Sequence, residues 1–457
     1  MMKTLFENAI VLTMDDDMRL ISNGYVLTEG KNIAEVGEGT YGGEADERID
    51  AHGGILLPGF VNTHCHASMV PFRTMGDDCP DRLRRFLFPL ENEAMTRELT
   101  YRGAVFGIGE MLLAGTTTFV DMYYFEDEVA RACVETGMRG YLGETLISQP
   151  TCDSPVPGGG INIARAMFER WKGEELVKPI VAPHGTTTCD EQLLRAASEL
   201  AEEKKAIFTL HASEMDYEMK FFADRGETPT SYLKKIGALN ARLLAAHSIH
   251  LSEGDVELLR EGGAAVAHCI GSNTKAAKGV APIAALAKAG VRYGLGTDGP
   301  SSGNTLSMFD QMRLFAVCHK TANHDRGIFP AREIVRAATR GGAEALGAEK
   351  EFGQIRPGMR ADLILVSTDA PHMFPVYNPY SALVYGANSS DVRCVMAGGR
   401  MRVRGGVLTQ LDMDEARARL LEHMGAFMRS AEKYKEIISK NTAGQFRFGK
   451  RQKNPNI

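Results

Sequence analysis

Four short motifs carry side chains that could together hold a catalytic metal ion. Each follows an apolar run of strand length: His64-Cys65-His66, His211-Ala212-Ser213-Glu214, Ala246-His247-Ser248 and Gly296-Thr297-Asp298-Gly299. Imidazole and carboxylate groups suit Zn²⁺ or Fe²⁺, and three or four of them plus one water make an open, catalytic site. Because residues i and i+2 of a strand point to the same side, His64 and His66 face one way while Cys65 turns away.

These residues lie far apart in the sequence and converge only if their strands lie side by side. Helical stretches, such as 191–204, 255–261 and 282–289, separate most of the apolar runs, which occur near residues 60–66, 116–122, 139–146, 179–184, 206–212, 242–248, 264–269 and 291–298. Eight strands that alternate with helices predict an α/β fold, a (β/α)8 TIM barrel, whose active site lies at the C-terminal ends of the strands. Our interpretation places His64 and His66 on the first strand, His211 on the fifth, His247 on the sixth and Asp298 on the eighth.

The two ends of the chain have a different residue pattern from the middle. Short β-branched and apolar runs with turn residues between them predict strands at both ends. We expect residues 1–57 and 355–412 to pair into one small β-sandwich domain and residues 58–354 to form the barrel. Residues 413–457 are predicted to be a helical tail, with an amphipathic helix over 414–440 and a loose, polar and basic end from Asn441 onward.

Composition narrows the class of protein. The chain has 457 residues, 44% of them apolar and 24% charged, which is typical of a soluble globular protein. A net charge of −6 argues against nucleic-acid binding, and no apolar run approaches the length of a membrane span. The N-terminus lacks the features of a signal peptide. The eight cysteines form no C-x-x-C pair, so we expect reduced thiols and a cytoplasmic protein.

Taken in this order, the motifs resemble those of the amidohydrolase superfamily, in the branch of adenosine-type, guanine, pterin and triazine aminohydrolases. The resemblance covers nearly the whole chain, from the segment 57–66 to Gly358-Met359-Arg360-Ala361-Asp362-Leu363. It implies the barrel with a β-sandwich, and one divalent metal ion, zinc in the first place and iron as the alternative. The implied metal ligands are His64, His66, His211 and Asp298. Two-metal members carry a carboxylated Lys at the end of the fourth strand, and residues 179–185 contain no Lys.

The resemblance also assigns chemical roles. Attack of hydroxide on an amine-bearing ring carbon builds negative charge on the neighbouring ring nitrogen, and a protonated carboxylic acid can neutralise it. Glu214, three residues beyond His211, is predicted to be that acid. Asp298 would take the proton of the water and deliver it to the leaving amine, and His247 would orient the hydroxide without binding the metal. The alternatives are a solvated loop carboxylate for Glu214 and a buried structural histidine for His247.

Two further residues are predicted to contact substrate. His184 ends the fourth strand and should face the barrel mouth. The segment Phe88-Pro89-Leu90-Glu91 resembles one in which the Glu binds sugar hydroxyls, which would place Glu91 over the pocket; an exposed carboxylate at a helix start is the alternative. Loop 67–90 is predicted to be a lid, its arginines either closing the site or solvated, and the role of His268 stays open. Relatives that bind an amino-acid tail carry arginines after the third strand, and residues 144–160 contain none.

The sequence therefore predicts an enzyme: a metal-dependent hydrolytic deaminase that releases ammonia from an amino-substituted N-heterocycle, a purine, an adenosine-type nucleoside or a pterin. Two alternatives stay open within the same chemistry, dechlorination of a triazine and opening of a cyclic amide. A non-catalytic binding protein on this fold should have lost a metal ligand or the acid, and all of them are present. The expected partner is a small heterocyclic substrate, and relatives suggest a homo-oligomer. The residues decide neither the exact substrate nor zinc against iron.

Overall fold

A computed structural model describes residues 1–439 of the chain. Within that range no helix has both the length and the apolar character needed to cross a membrane. The strands, numbered in chain order, are β1 Lys3–Leu12, β2 Leu20–Glu29, β3 Asn32–Glu38, β4 Glu47–Asp50, β5 Ile55–Pro58, β6 Phe60–Cys65, β7 Thr116–Tyr123, β8 Arg139–Leu146, β9 Val177–Pro179, β10 Ala182–Pro183, β11 Phe208–Ala212, β12 Leu243–His247, β13 Ala265–His268, β14 Arg292–Leu295, β15 Leu363–Val366, β16 Val392–Ala397, β17 Arg400–Arg404 and β18 Val407–Leu408.

Helices follow most of the barrel strands, and short turns of 3₁₀-helix or π-helix cover Ala67–Phe72, Leu83–Leu87, Pro371–Met373, Ala382–Gly386 and Ser389–Asp391. The α-helices are α1 Phe88–Ala94, α2 Arg97–Leu113, α3 Glu126–Thr136, α4 Gly160–Arg170, α5 Glu191–Lys204, α6 Asp216–Ala223, α7 Pro229–Lys235, α8 Glu253–Gly262, α9 Ile270–Lys275, α10 Ile283–Ala289, α11 Met308–Ala322, α12 Ala331–Ala338, α13 Arg340–Ala345, α14 Pro379–Ser381, α15 Met413–Glu432 and α16 Lys435–Ser439.

Strands β6 to β14 form a closed parallel barrel, which confirms the predicted (β/α)8 fold. Parallel ladders join β6 to β7 to β8 and then β11 through β14, and a bridge between Val181 and Phe208 connects the two halves. The barrel closes between its last and first strands, where the amide of Asp298 donates to the carbonyl of His64 at 3.1 Å. The side chain of Asn62 reinforces this seam, because its Oδ1 accepts a hydrogen bond from the Thr297 amide at 3.0 Å.

The fourth barrel strand differs from its prediction. We expected one run near 179–184, and the structure has two short pieces, Val177–Pro179 and Ala182–Pro183. The reason is chemical: Pro179 and Pro183 have no backbone N–H, so each leaves a gap in the hydrogen-bond ladder. The other seven barrel strands lie where the apolar runs predict them.

Both ends of the chain build a second, nine-stranded sheet beside the barrel, as predicted. Its order is β18-β17-β16-β15-β5-β1-β2-β3, with β4 on β1, so β5 and β15 join the two ends antiparallel. A buried ion pair fastens this sheet to the barrel: Arg139 of β8 donates to Asp362, just before β15, at 2.5 Å. The boundaries 1–57 plus 355–412, 58–354 and 413–457 remain our proposal for the domains.

The tail packs against α1, α2 and the segment that precedes them. Helices α15 and α16 confirm the predicted helix as far as residue 439, and the predicted loose end from Asn441 lies outside the described residues. Leu420, Met424 and Phe427 of α15 are buried against the segment 69–95, and the Phe427 ring meets Phe72 at 4.8 Å. The tail helix therefore supports the segment that carries Glu91.

Candidate active site

Three histidines meet at the C-terminal end of the barrel. His64 and His66 end β6, His211 lies in β11, and their ring centroids are 4.8 to 5.5 Å apart. One ring nitrogen of each lies within 4.8 Å of the others. His64 is completely enclosed, and neither of its ring nitrogens has a hydrogen-bond partner among residues 1–439. A buried imidazole without a partner is costly, and a metal ion would remove that cost.

Backbone carbonyls fix the orientation of two of these rings. Nδ1 of His66 donates to the carbonyl of Met122 at 2.6 Å, and Nδ1 of His211 donates to the carbonyl of His184 at 2.5 Å. A carbonyl can only accept, so Nδ1 carries a proton, and Nε2 is the nitrogen that an ion at the centre would bind, in place of any proton there. The sequence could not reveal these partners, because any residue can supply a backbone carbonyl.

Asp298 completes the donor set. Its backbone has a φ of 58°, its Oδ1 accepts from the Gly299 amide at 2.6 Å, and the same oxygen lies 3.3 Å from Nε2 of His66. Burial acts to raise the pKa of Asp298, but the hydrogen bond and charge of His66 hold it well below its ordinary value. Three imidazoles and a carboxylate are a donor set that Zn²⁺ and Fe²⁺ accept.

The charge balance of the cluster also fits a cation. Burial lowers the pKa of His211 to about 4, which keeps its ring neutral. Burial likewise acts to lower the pKa of His66, but its hydrogen bond to Asp298 raises it to about 9. The cluster thus stabilises one positive charge between His66 and Asp298, where a bound cation would replace that proton.

His247 lies beside the cluster at the end of β12. Its backbone is also left-handed, with a φ of 68°, and Nδ1 donates to Oδ1 of Asn273 at 2.8 Å. Nε2 lies 3.7 Å from Glu214 and 4.0 Å from Asp298 and makes no hydrogen bond within the described chain. Asn273, which we did not predict, therefore aims the lone pair of His247 at the space between the two carboxylates.

Only 12% of the Glu214 side chain is exposed, which argues against the alternative of a solvated loop carboxylate. Its Oε1 accepts a hydrogen bond from the ammonium of Lys278, in the loop between α9 and α10. Burial acts to raise the pKa of Glu214, but the His247 ring and the Lys278 charge hold it well below its ordinary range. No pattern in the sequence marks Lys278, because a loop brings it to the site.

Glu91 and His184 face the same cavity. Glu91 of α1 is only 4% exposed, which excludes the exposed helix-start carboxylate, and it accepts from the Tyr123 hydroxyl at 2.9 Å. Burial raises the pKa of Glu91 to about 7, although the Tyr123 hydrogen bond opposes the change. The His184 ring contacts Thr188 through Nδ1 at 2.9 Å and lies 5.2 Å from the Phe88 ring.

The cavity above these groups has a volume of about 670 Å³, within the range of small-molecule sites. The segment 67–90 forms one of its walls. Arg82 donates to the Ser301 carbonyl at 2.6 Å and to Ser302 at 3.1 Å, and Lys275 binds Asp77 at 2.7 Å. Arg82 is therefore a tether across the cavity mouth, in line with the predicted lid.

His268 does not face the cavity. Its Nε2 lies 3.0 Å from Nε2 of His319, and the Phe315 ring packs against it. The sequence left the role of His268 open, and these contacts favour a structural role over contact with a ligand.

Comparison with known proteins agrees with this geometry. The profile of the amidohydrolase family matches residues 55–402. The 5-methylthioadenosine/S-adenosylhomocysteine deaminase 1 of Syntrophus aciditrophicus is 38% identical over 441 residues, which cover 95% of this chain and 98% of that protein. The 5'-deoxyadenosine deaminase of Methanosarcina mazei is 37% identical over 87% of this chain and 92% of that protein. An adenosine deaminase from Xanthomonas campestris, crystallised with bound zinc, has a TM-score of 0.90 and 29% identity over 94% of this chain and 99% of its own. The chain belongs to the amidohydrolase family, as its motifs predicted.

Proposed function

We propose that this protein is a metal-dependent deaminase that hydrolyses the ring amine of adenosine-type nucleosides and releases ammonia. The observation that carries the proposal is the placement of Glu214 and His247 beside Asp298 at one edge of the histidine cluster, under a cavity of nucleoside size. The relatives named as deaminases of 5′-modified adenosines, at 37% and 38% identity over most of the chain, support the same substrate class.

The proposed metal ligands are His64, His66, His211 and Asp298, and zinc is the proposed ion, with iron as the alternative. The unpartnered ring of His64 and the inward lone pairs of His66 and His211 support this assignment. So does the zinc in the Xanthomonas campestris enzyme. When bound, such an ion lowers the pKa of a coordinated water and so supplies hydroxide near neutral pH.

Each of the two carboxylates carries one proton of the attacking water to a different nitrogen of the substrate. Glu214 begins ionised beside Lys278, so it accepts the first proton of the attacking water and passes it to the ring nitrogen. Asp298 takes the remaining hydroxyl proton and delivers it to the amine, which leaves as ammonia while the ring carbon becomes a carbonyl. His247, with its proton fixed on Nδ1 by Asn273, accepts a hydrogen bond at Nε2 and so orients the attacking oxygen.

This arrangement favours deamination over the alternatives. An amine must gain a proton before it leaves, whereas chloride leaves without one. Dechlorination of a triazine therefore does not need the second carboxylate that delivers a proton to the leaving group. Opening of a cyclic amide likewise has less use for a proton delivered to a ring nitrogen beside an exocyclic amine. Glu214 and Asp298 provide both proton carriers.

The opposite wall of the cavity is proposed to bind the sugar. Glu91, held by the Tyr123 hydroxyl, would accept hydrogen bonds from sugar hydroxyls, and His184 with Phe88 would flank the nucleoside. The absence of arginine from residues 144–160 favours a small, uncharged 5′ substituent over an amino-acid tail. A homo-oligomeric state and a cytoplasmic location remain predictions from the sequence.

The test is ammonia release by the zinc-loaded protein from a panel of heterocycles: adenosine, 5′-deoxyadenosine, 5′-methylthioadenosine, S-adenosylhomocysteine, guanine, a pterin and a chlorotriazine. We expect the 5′-modified adenosines with uncharged tails to give the highest kcat/KM. Release from guanine or the pterin alone, or chloride release without ammonia, would contradict the proposal. Glu214→Gln is the matched inactive control, because it keeps the shape of the side chain.

A further inference from the structure

A second set of donor atoms lies next to the proposed zinc ligands. His64, His247 and Cys269 each offer one atom within 4.8 Å of the other two, and all three residues are buried. Both ring nitrogens of His64 and Nε2 of His247 lack a hydrogen-bond partner within residues 1–439. The Cys269 sulfur lies 3.7 Å from the carbonyl of Ala267 and also interacts with the backbone of His247 and Asp298. The unpartnered ring nitrogens of His64 and His247 therefore lie beside the Cys269 sulfur in one enclosed cluster.

We propose that His64, His247 and Cys269 form an alternative position for a soft, thiophilic cation. The two positions share His64 but differ in chemistry: the first adds two imidazoles and a carboxylate, and the second adds one imidazole and a sulfur. Thiolate ligands select soft ions, while imidazole and carboxylate suit borderline and harder ones. Cd²⁺ would therefore prefer the Cys269 position, and Fe²⁺ or Mn²⁺ would prefer the Asp298 position. Zn²⁺ accepts both kinds of donor and would favour the Asp298 position because it offers four donors rather than three.

Occupation of the second position is incompatible with the proposed reaction. A cation there uses Nε2 of His247, which is the atom proposed to orient the attacking oxygen. It also uses His64, so one ion excludes the other. Binding forms a bond between Cd²⁺ and the Cys269 sulfur, and the thiol proton leaves to solvent. No oxidant or reductant takes part.

The experiment loads metal-free full-length protein with one equivalent of Cd²⁺ and records thiolate-to-cadmium charge-transfer absorption and the ¹¹³Cd NMR shift. We expect both to report a Cd–S bond in the natural protein and none in Cys269→Ser, whose Cd²⁺ affinity should fall by about tenfold or more. Two controls should keep the bond: Cys79→Ser, because Cys79 lines the same cavity, and Cys394→Ser, because Cys394 is buried in the remote sheet. Cys269→Ala serves as a second variant if the serine destabilises the protein.

The inference rests on the proposed metal site through His64, but not on the proposed substrate. The spectroscopic test of the cadmium site therefore does not depend on whether the protein deaminates any nucleoside. With a working assay, zinc-loaded Cys269→Ser should retain the activity of the natural protein and resist inhibition by added Cd²⁺. A bound cadmium ion without a Cd–S signal in the natural protein, or an unchanged signal in Cys269→Ser, would overturn the inference.

Discussion

Glu91 gives a quantitative test of how the proposed sugar-binding side of the pocket is built. Burial raises the pKa of this carboxyl from the ordinary 4.5 to about 7, so the folded protein binds a proton more tightly than the unfolded chain does. Between those two values the folded state therefore loses stability as pH rises. Each pKa unit corresponds to about 1.4 kcal/mol, so the free energy of unfolding should fall by about 3 kcal/mol between pH 4.5 and pH 8 on account of Glu91 alone.

Glu91→Gln should remove this loss, because glutamine does not titrate and has nearly the same shape. Thermal unfolding of the natural protein and the variant, in the same metal state at pH 5 and pH 8, measures the effect. For a chain of this length about 1 kcal/mol corresponds to about 1 °C in Tm. Between pH 5 and pH 8 the contribution of Glu91 amounts to about 2.5 kcal/mol, so the variant should gain about 2.5 °C relative to the natural protein.

Glu93→Gln is the matched control, since Glu93 lies on the same helix but pairs at the surface with Ser430 and Lys433. Those hydrogen bonds lower the pKa of Glu93, so its removal should give no relative gain at pH 8. An equal pH dependence of Tm in the natural protein and in Glu91→Gln would refute the reasoning. In the deaminase assay, KM for nucleosides should fall as pH rises through about 7, because ionised Glu91 accepts hydrogen bonds better, and Glu91→Gln should flatten this dependence.

Four further outcomes are expected. Glu214→Gln should lower kcat by about 10²–10⁴ with unchanged metal content by elemental analysis, because only the proton carrier is lost; near-normal turnover would contradict its role. Lys278→Met should move the acid limb of the kcat/KM profile upward by about 1–3 pH units, since Glu214 loses its cation, whereas Lys275→Met, which removes a partner of Asp77, should not. A chelator should abolish activity and added Zn²⁺ or Mn²⁺ should restore it; activity that persists without measurable metal would count against the site. Arg139→Met should lower the free energy of unfolding, measured with denaturant, by about 3–5 kcal/mol, because Asp362, with a side chain only 2% exposed, loses its partner. A decrease below about 1 kcal/mol would show that the pair is solvated.

The fold could be predicted because each barrel strand is a short apolar run that a helix follows. The chemistry-bearing residues were predictable for the same reason: parallel strands bring their C-terminal ends to one face, so His64, His211 and Asp298 had to meet. The fourth strand was harder, since two prolines interrupt its ladder. Its position was right, but its continuity was not.

Several groups that shape the site could not be predicted from the sequence. Lys278 and Asn273 follow the seventh barrel strand, and their places depend on how the connection after β13 turns, which periodicity does not encode. The carbonyls of Met122 and His184 orient two of the proposed metal ligands, yet every residue has such a carbonyl. Lys278 changes the proposed chemistry most. Together with His247 it holds the pKa of Glu214 low, so the proposed cycle begins with an ionised carboxylate, whereas the family resemblance implied a protonated acid.

The location of the bound ion tests the central claim most directly. A crystal of the zinc-loaded protein, measured with anomalous scattering at the zinc edge, should show one peak within bonding distance of His64, His66, His211 and Asp298, with Glu214 and His247 facing it. A peak on His247 and Cys269, or an empty cluster in protein that binds zinc elsewhere, would contradict the account.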